Sequence, residues 1–377
     1  MNETLSIAFS IADYCFERTR TIGQMNLAIS LVKALGLRPE IRELVVFKNS
    51  SIKLAGLNDK IKLIDIDYPI KSRFYRIFWD QIGIYLETKK HNLQWLFLPK
   101  GFSSFIRKPP VWLAAYIHDV VPEFYNRHYP KDYNKTERIY FLAALKSSLK
   151  NASIIFTNSD FVISEVDRLM AEWKIRNYIP KVSIGAGFEP PEKRDSARSN
   201  RIFVLVSPWR HKRSDLAIDY LTRWQKETDF VGGIDFVGNL PKNLCFPDFK
   251  NWRHYPRLPE DDYRKMFNSS AVVVYFSEYE GFGMPPVEAI INGIPAVYSK
   301  IPALTEVMDD TGFAFDNNSY EDFKIALNSA LKTPEENISK WAKKLLSKHD
   351  LHRKAEKVSR AMLMRQSELI KTQGKID

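Results

Sequence analysis

Cysteine is nearly missing: the chain of 377 residues holds 2, Cys15 and Cys245. They are too few and too far apart for a disulfide framework or a zinc site, and both are expected to be inert. Long apolar runs are missing too. No stretch approaches the length that crosses a bilayer, and the opening MNETLSIAFSIADYCFE has no basic leader and meets acidic residues early. A span and a secretory signal are therefore not expected, and the protein should stay in the cytosol. There is no internal repeat and no low-complexity segment, nor a helix-turn-helix, zinc or aromatic RNP-like signature. Those absences leave a basic nucleic-acid-binding protein without specific support.

What is there is enough chain for two domains with full cores, at 45% hydrophobic and 27% charged residues, as in a soluble globular protein. The formal net charge is +11, with an isoelectric point near 9.3. That implies attraction to something anionic, whether nucleic acid, membrane phospholipid or a phosphorylated substrate.

The informative stretch is Ser277 to Val307, SEYEGFGMPPVEAIINGIPAVYSKIPALTEV. The apolar run 271–276 before it reads as a buried strand of a parallel sheet. Gly281 and Gly283 then let backbone N–H groups approach a ligand, and Pro285 with Pro286 suits the first positions of a helix. A strand, glycine turn and helix in an open α/β sheet form a phosphate-binding junction. Carboxylates there would repel phosphate, so Glu280 and Glu288 are expected to accept hydrogen bonds from sugar or ribose hydroxyls. Together these features point to a nucleotide-sugar.

Glu280 through Glu288, with GFGMPPV between the glutamates, resembles the signature of family 4 retaining glycosyltransferases, and Ala289, Gly293, Pro295 and Glu306 fall where that family places its following residues. The resemblance implies an α/β protein of the GT-B fold, two Rossmann-like doubly wound domains facing across a cleft. It assigns residues 1–190 to an acceptor-binding domain, 191–355 to a nucleotide-sugar-binding domain and 356–377 to a helix packing back on the first. The segment 189–200, rich in Pro, Ser and charge, reads as the linker.

Other elements match with less density. Ser207-Pro-Trp-Arg-His-Lys-Arg213 is a cationic strand-to-helix loop suited to a diphosphate. Lys212 stands at the family's lysine; Ser207 stands where an arginine is common, and either Arg210 or Arg213 compensates. His118 and Asp119, followed by Pro122, resemble the element whose histidine contacts the transferred sugar. Gly238 closes a V-x-G segment, and the backbone near Arg257 and Leu258 would meet the base. Gly23 is either part of a glycine loop against the donor or acceptor, or a plain helix entry. Residues 153–157 read as a strand, and Thr157-Asn-Ser159 resembles the segment that opens the next helix.

The resemblance therefore implies His118, Lys212 and Glu280 as catalytic. It implies Gly23, Asp119, Ser207, Arg210, Arg213, Gly238, Arg257, Leu258, Gly281, Phe282, Gly283, Met284 and Glu288 as substrate-binding. No cofactor and no metal is expected, since the cations at Lys212 and the helix dipole would steady the departing diphosphate. Asp65 and Asp67 imitate a metal motif but lie in a strand-like run. The stretches 71–79 and 102–112 interleave bases with aromatics, suiting either an anionic membrane surface or a partly buried amphipathic helix. The expected activity is transfer of a sugar from a nucleotide diphosphate donor to a saccharide or lipid-linked hydroxyl, with a bacterial surface polysaccharide as the setting by analogy. A UDP-sugar epimerase of the same fold is the alternative.

Overall fold

The computed structural model describes residues 4–14, 22–69, 72–191 and 198–373. They divide into two compact units, Met1–Gly187 with Asp350–Asp377, and Phe188–His349.

The first unit is built on seven parallel strands, β1 (Leu5–Ser10), β2 (Ile41–Lys48), β3 (Ile61–Asp65), β4 (Trp95–Leu98), β5 (Trp112–Ile117), β6 (Ile154–Thr157) and β7 (Lys181–Ser183), in the order β3-β2-β1-β4-β5-β6-β7. Helices α1 (Ile22–Gly36), α2 (Arg73–Phe78), α3 (Ile84–Lys90), α4 (Val121–His128), α5 (Lys135–Asn151) and α6 (Asp160–Glu172) connect them. Strands β4 and β5 are unbroken apolar runs, as expected where both faces of a parallel sheet are covered. Phe9 stacks on Phe97 at 4.8 Å, and Phe97 on Phe156 at 5.8 Å. The small Ala114, paired with Phe97 on the intervening strand, leaves room for that aromatic row. Ser159 caps α6 by accepting from the Val162 N–H.

Between α2 and α3 the chain widens into a π-helical turn, Trp79–Gly83. The indole of Trp79 donates to Ser10 Oγ at 3.0 Å, which pins this turn to the end of β1. Such turns are uncommon and often accompany function.

The second unit holds β8 (Arg201–Leu205), β9 (Gly233–Val237), β10 (Trp252–Tyr255), β11 (Val272–Tyr275), β12 (Ala296–Ser299) and β13 (Phe313–Phe315), all parallel, in the order β10-β9-β8-β11-β12-β13. Its helices are α7 (Ser214–Glu227), α8 (Glu260–Ser269), α9 (Met284–Ile291), α10 (Pro302–Met308), α11 (Tyr320–Leu331) and α12 (Glu335–Lys348). Asp235, 3% exposed, is held by both arms of the Arg201 guanidinium at 2.5 Å each. A carboxylate buried on a strand needs such a bidentate partner.

The last helix, α13 (Leu351–Gln373), belongs to the first unit. Its Gln366 accepts from the Trp95 indole at 2.9 Å, and Leu351, Ala355, Val358 and Met362 join the first core.

Gly238 follows β9 with φ near +120°, and an added Cβ would fall 2.0 Å from the Val206 carbonyl oxygen. Gly238→Ala is therefore expected to destabilise the second unit by about 2 kcal/mol or more, from a forbidden backbone angle plus a clash with main chain. Chemical denaturation followed by tryptophan fluorescence measures this, and an unchanged midpoint would contradict it.

Candidate active site

In the second sheet the strand order reverses between β8 and β11. Ligands of open α/β sheets bind outside the carboxyl ends of strands at such a reversal. Two loops leave those ends, 206–213 and 276–283. They are sewn together by main-chain bonds, since the Glu278 N–H donates to the His211 carbonyl at 2.8 Å and Ser277 Oγ donates to the same carbonyl at 3.1 Å. Ser299 Oγ accepts from the Ser277 N–H at 2.9 Å, and Asn317 donates to the Ser277 carbonyl at 2.8 Å.

That frame sets Lys212 against Glu280. Its ammonium lies 2.5 Å from Glu280 Oε1 and 2.7 Å from Tyr275 Oη, and the Tyr275 hydroxyl donates to the same Oε1 at 2.7 Å. Burial alone would favour the neutral forms of both. The Glu280 carboxylate nevertheless raises the Lys212 pKa above the ordinary lysine value, and the ammonium holds Glu280 below the usual carboxylate range. Burial and the Glu280 charge push the Tyr275 phenol up. His211 beside them is driven down to about 3 by burial and by Lys212, so it stays neutral.

Gly283 takes φ +84° as the residue capping α9, and a Cβ there would come 2.2 Å from Leu304. One helical turn on, burial raises the pKa of Glu288, and among the described residues no group donates a hydrogen bond to its carboxylate. Tyr263 and Arg264 of α8 lie within its electrostatic reach. Phe282 is 3% exposed and packs on His349 at 5.1 Å, which leaves its side chain turned away from solvent. Arg213 sits at φ +45° with its guanidinium 3.2 Å from Asp215 and 3.9 Å from Glu278, whereas Arg210 is exposed. Ser207 is bracketed by Ser214, whose hydroxyl accepts from its N–H and donates to its carbonyl, both at 2.8 Å. The Gly238 carbonyl accepts from His254 at 2.8 Å. Arg257 is exposed and Leu258 half-buried in the turn before α8, and Gly281 and Met284 flank the capping glycine.

His118 and Asp119 lie in the other unit, after β5. The buried His118 ring has both nitrogens engaged: Asn158 Nδ2 lies 3.2 Å from Nδ1, and Nε2 lies 2.6 Å from the Pro99 carbonyl. Because a carbonyl can only accept, Nε2 carries the proton and Nδ1 accepts. Burial, with help from Lys354, pushes this imidazole down to about 4. Lys354 is itself 4% exposed, donates to Tyr116 Oη at 3.0 Å, and is pushed down to about 7 by burial. Asp119 accepts from the Val121 N–H at 3.0 Å, at the start of α4. Gly23 is exposed in the first turn of α1; the loop before it, with Arg18, Arg20 and Cys15, lies outside the described residues, as does Lys71. Asp65 pairs with Lys48, a structural use of that carboxylate. Among the described residues no group of His, Cys, Asp or Glu is placed to hold a metal ion.

Residues 250–345 match the family model of glycosyl transferases group 1. The chain is 23% identical over 334 residues to O-antigen chain mannosyltransferase B of Escherichia coli, covering 80% of this chain and 84% of that protein. The chain is a glycosyltransferase. The fold agrees with the GT-B architecture of solved enzymes. The lipopolysaccharide-biosynthesis glycosyltransferase WaaG superposes with a TM-score of 0.64 at 14% identity, over 94% of this chain and 98% of that one. HepE of Anabaena, crystallised with UDP and glucose, superposes with a TM-score of 0.62 at 12% identity, over 95% and 99%.

Sequence motifs pointed to Lys212 and Glu280 separately; the contact between them, and Tyr275, were not anticipated. Tyr275 carries no motif, and its only sequence signal is a hydroxyl-bearing residue near the end of an otherwise aliphatic strand. In this glycosyltransferase the Lys212 charge is held by Glu280, so an incoming anion competes with that carboxylate. Glu280→Gln is therefore expected to tighten binding of the preferred nucleoside diphosphate, UDP or GDP, by about tenfold, equivalent to about 1.4 kcal/mol, while lowering kcat. Calorimetry alongside steady-state kinetics separates the two effects, and weaker diphosphate binding in the variant would show that Lys212 does not turn to the ligand.

Proposed function

We propose that this glycosyltransferase moves a hexosyl unit from a nucleotide diphosphate sugar to a hydroxyl of a saccharide or lipid-linked saccharide, with retention at the anomeric carbon and without a metal ion. The setting we infer is synthesis of a bacterial surface polysaccharide in the cytoplasm. One observation carries this: at the switch point of the second sheet, Lys212 of one loop is held by Glu280 of the other, beside the start of α9. As the bond from the anomeric carbon to the phosphate oxygen breaks, negative charge gathers on the diphosphate. Lys212 and the N–H groups opening α9 are positioned to stabilise it. Glu288 would accept from ribose hydroxyls, and Glu280 would serve the sugar side. Arg210 or Arg213 of the same loop would add a second cation to the phosphates. The O-antigen relative supports a saccharide product, and the UDP and glucose bound to HepE support a nucleotide-sugar donor.

Thermal melting against UDP-glucose, UDP-N-acetylglucosamine and GDP-mannose finds the donor, because a ligand that binds only the folded state raises the transition. With that donor and an acceptor, Lys212→Ala is expected to lower transfer by about 10² to 10³-fold, the scale of losing one preorganised donor. Transfer should survive excess EDTA, with the product anomer matching the donor by NMR. Loss of activity restored by Mn²⁺ or Mg²⁺, or an inverted product, would overturn the respective part.

The first unit also exposes Phe74, Phe105, Ile106 and Ile139, among Arg73, Arg107 and Lys108. Their segments adjoin, as Arg73 pairs with Glu137 at 3.5 Å and Phe105 packs on Tyr140 at 5.8 Å. No helix of the described residues is long and apolar enough to cross a membrane. We infer instead a peripheral contact with anionic lipid, where rings sit at headgroup level and bases meet phosphates. Co-sedimentation with phosphatidylglycerol vesicles, but not with phosphatidylcholine, is expected, and Phe74→Ser with Ile106→Ser should abolish it. Equal sedimentation with both lipids would count against the electrostatic part.

A further inference from the structure

The first sheet has its own reversal of strand order, between β1 and β4. The residues just past those two strand ends are Asp13 with Tyr14, and Lys100. Asp13, 8% exposed, forms an ion pair with Lys100, and the Lys100 ammonium also lies 4.3 Å from the centre of the Tyr14 ring. Tyr14 is fully buried, and among the described residues its hydroxyl has no hydrogen-bond partner. A buried phenol left unpaired is costly, and a ligand hydroxyl would satisfy it. Its surroundings are polar, since Asp13 and Asp80 both act electrostatically on this phenol.

Asp80 reaches the same place from the π-helical turn, which the Trp79 bond to Ser10 fixes beside β1. Tyr140 Oη donates to Asp80 Oδ2 at 3.3 Å, and Gln81 next door is held by Tyr140 at 3.2 Å and by the Phe105 N–H at 3.1 Å. The charges acting on Asp80 are Asp13, Lys100 and Arg76, and the phenols of Tyr14, Tyr85 and Tyr140 stand around it. Lys100 is committed to Asp13. The groups left are thus a carboxylate with spare lone pairs and a phenol that can donate or accept. A hydroxyl, which both donates and accepts, satisfies that pair; a phosphate or carboxylate, which only accepts, would meet the Asp80 carboxylate with nothing to give it.

We propose that Asp80 and the Tyr14 hydroxyl, beside the Asp13–Lys100 pair, form a subsite of the first unit that binds a neutral sugar hydroxyl and disfavours sugars bearing phosphate or carboxylate at that position. This rests on the reading above that the first unit takes a saccharide acceptor. Burial and the Asp13 charge raise Asp80 to about 7. Its ionised form is the stronger acceptor for a sugar hydroxyl and leaves Tyr14 to donate, so affinity rises with pH across that value.

Saturation-transfer NMR on the full-length protein, with methyl glycosides of mannose, glucose, galactose and N-acetylglucosamine, tests this. Mannose 6-phosphate and glucuronic acid serve as anionic probes. At least one neutral glycoside is expected to bind, several-fold more tightly at pH 8 than at pH 6, with both anionic probes weaker. Asp80→Asn and Tyr14→Phe should each weaken binding about tenfold, and Asp80→Asn should remove the pH dependence. Asp80→Asn should also melt at or above the wild-type temperature at pH 8, because it removes a carboxylate that folding makes harder to ionise; a binding loss is then not a folding loss. Absence of binding across the neutral panel, unchanged affinity in both variants, or preference for an anionic probe would overturn the subsite. UDP and GDP binding, measured on the same samples, should be unaltered by either variant. Failure of both nucleotides to bind the wild type would remove the nucleotide-sugar donor whatever the glycosides do.

Discussion

A half-buried lysine and a half-buried glutamate in the second unit hold each other in the charged form across 2.5 Å. Removing either partner leaves the other's charge uncompensated, which costs more than keeping the pair. The demand propagates outward. Lys212 can meet Glu280 only if the loops after β8 and β11 keep their register, and that register is fixed by Ser277, Ser299, Asn317 and the His211 carbonyl. Much of the polar structure around the switch point is a scaffold for one ion pair.

How far the sequence revealed this depended on the range of the interaction. The strands read at 153–157 and 271–276 were legible from local apolar runs, because a parallel sheet covered on both faces writes its strands as continuous hydrophobic segments. The turn around Gly283 was legible too, since a left-handed backbone angle demands a residue type. Strands β10, β12 and β13 escaped: Trp252–Tyr255 alternates bases with aromatics, Ala296–Ser299 is buried inside a glycine- and proline-rich stretch, and Phe313–Phe315 is short enough to read as part of a turn.

The site was half legible for the same reason. Lys212 and Glu280 each belong to a local motif, but their meeting spans 68 positions, and Tyr275 belongs to no motif. His118 was found by its neighbours in sequence, whereas the fixing of its tautomer by Asn158 and Pro99 depends on two other strand ends. Asp80 was hidden inside a basic, aromatic segment read for its surface character. Its position comes from a π-helical turn, which has no residue signature, and from one indole bond back to β1.

The bond from Trp95 to Gln366 joins positions 271 apart, and the helix that supplies Gln366 also supplies Met362, Val358 and Ala355 to the core under the first sheet. On a ribosome the order of events follows. The first unit's strands are translated early, yet one side of their core is still open when the whole second unit has been made. The second unit is contiguous in sequence, so it can close first, and the amino-terminal half must wait, with apolar surface uncovered, for the last helix to emerge. In this chain the half that is synthesised first is the half that is completed last.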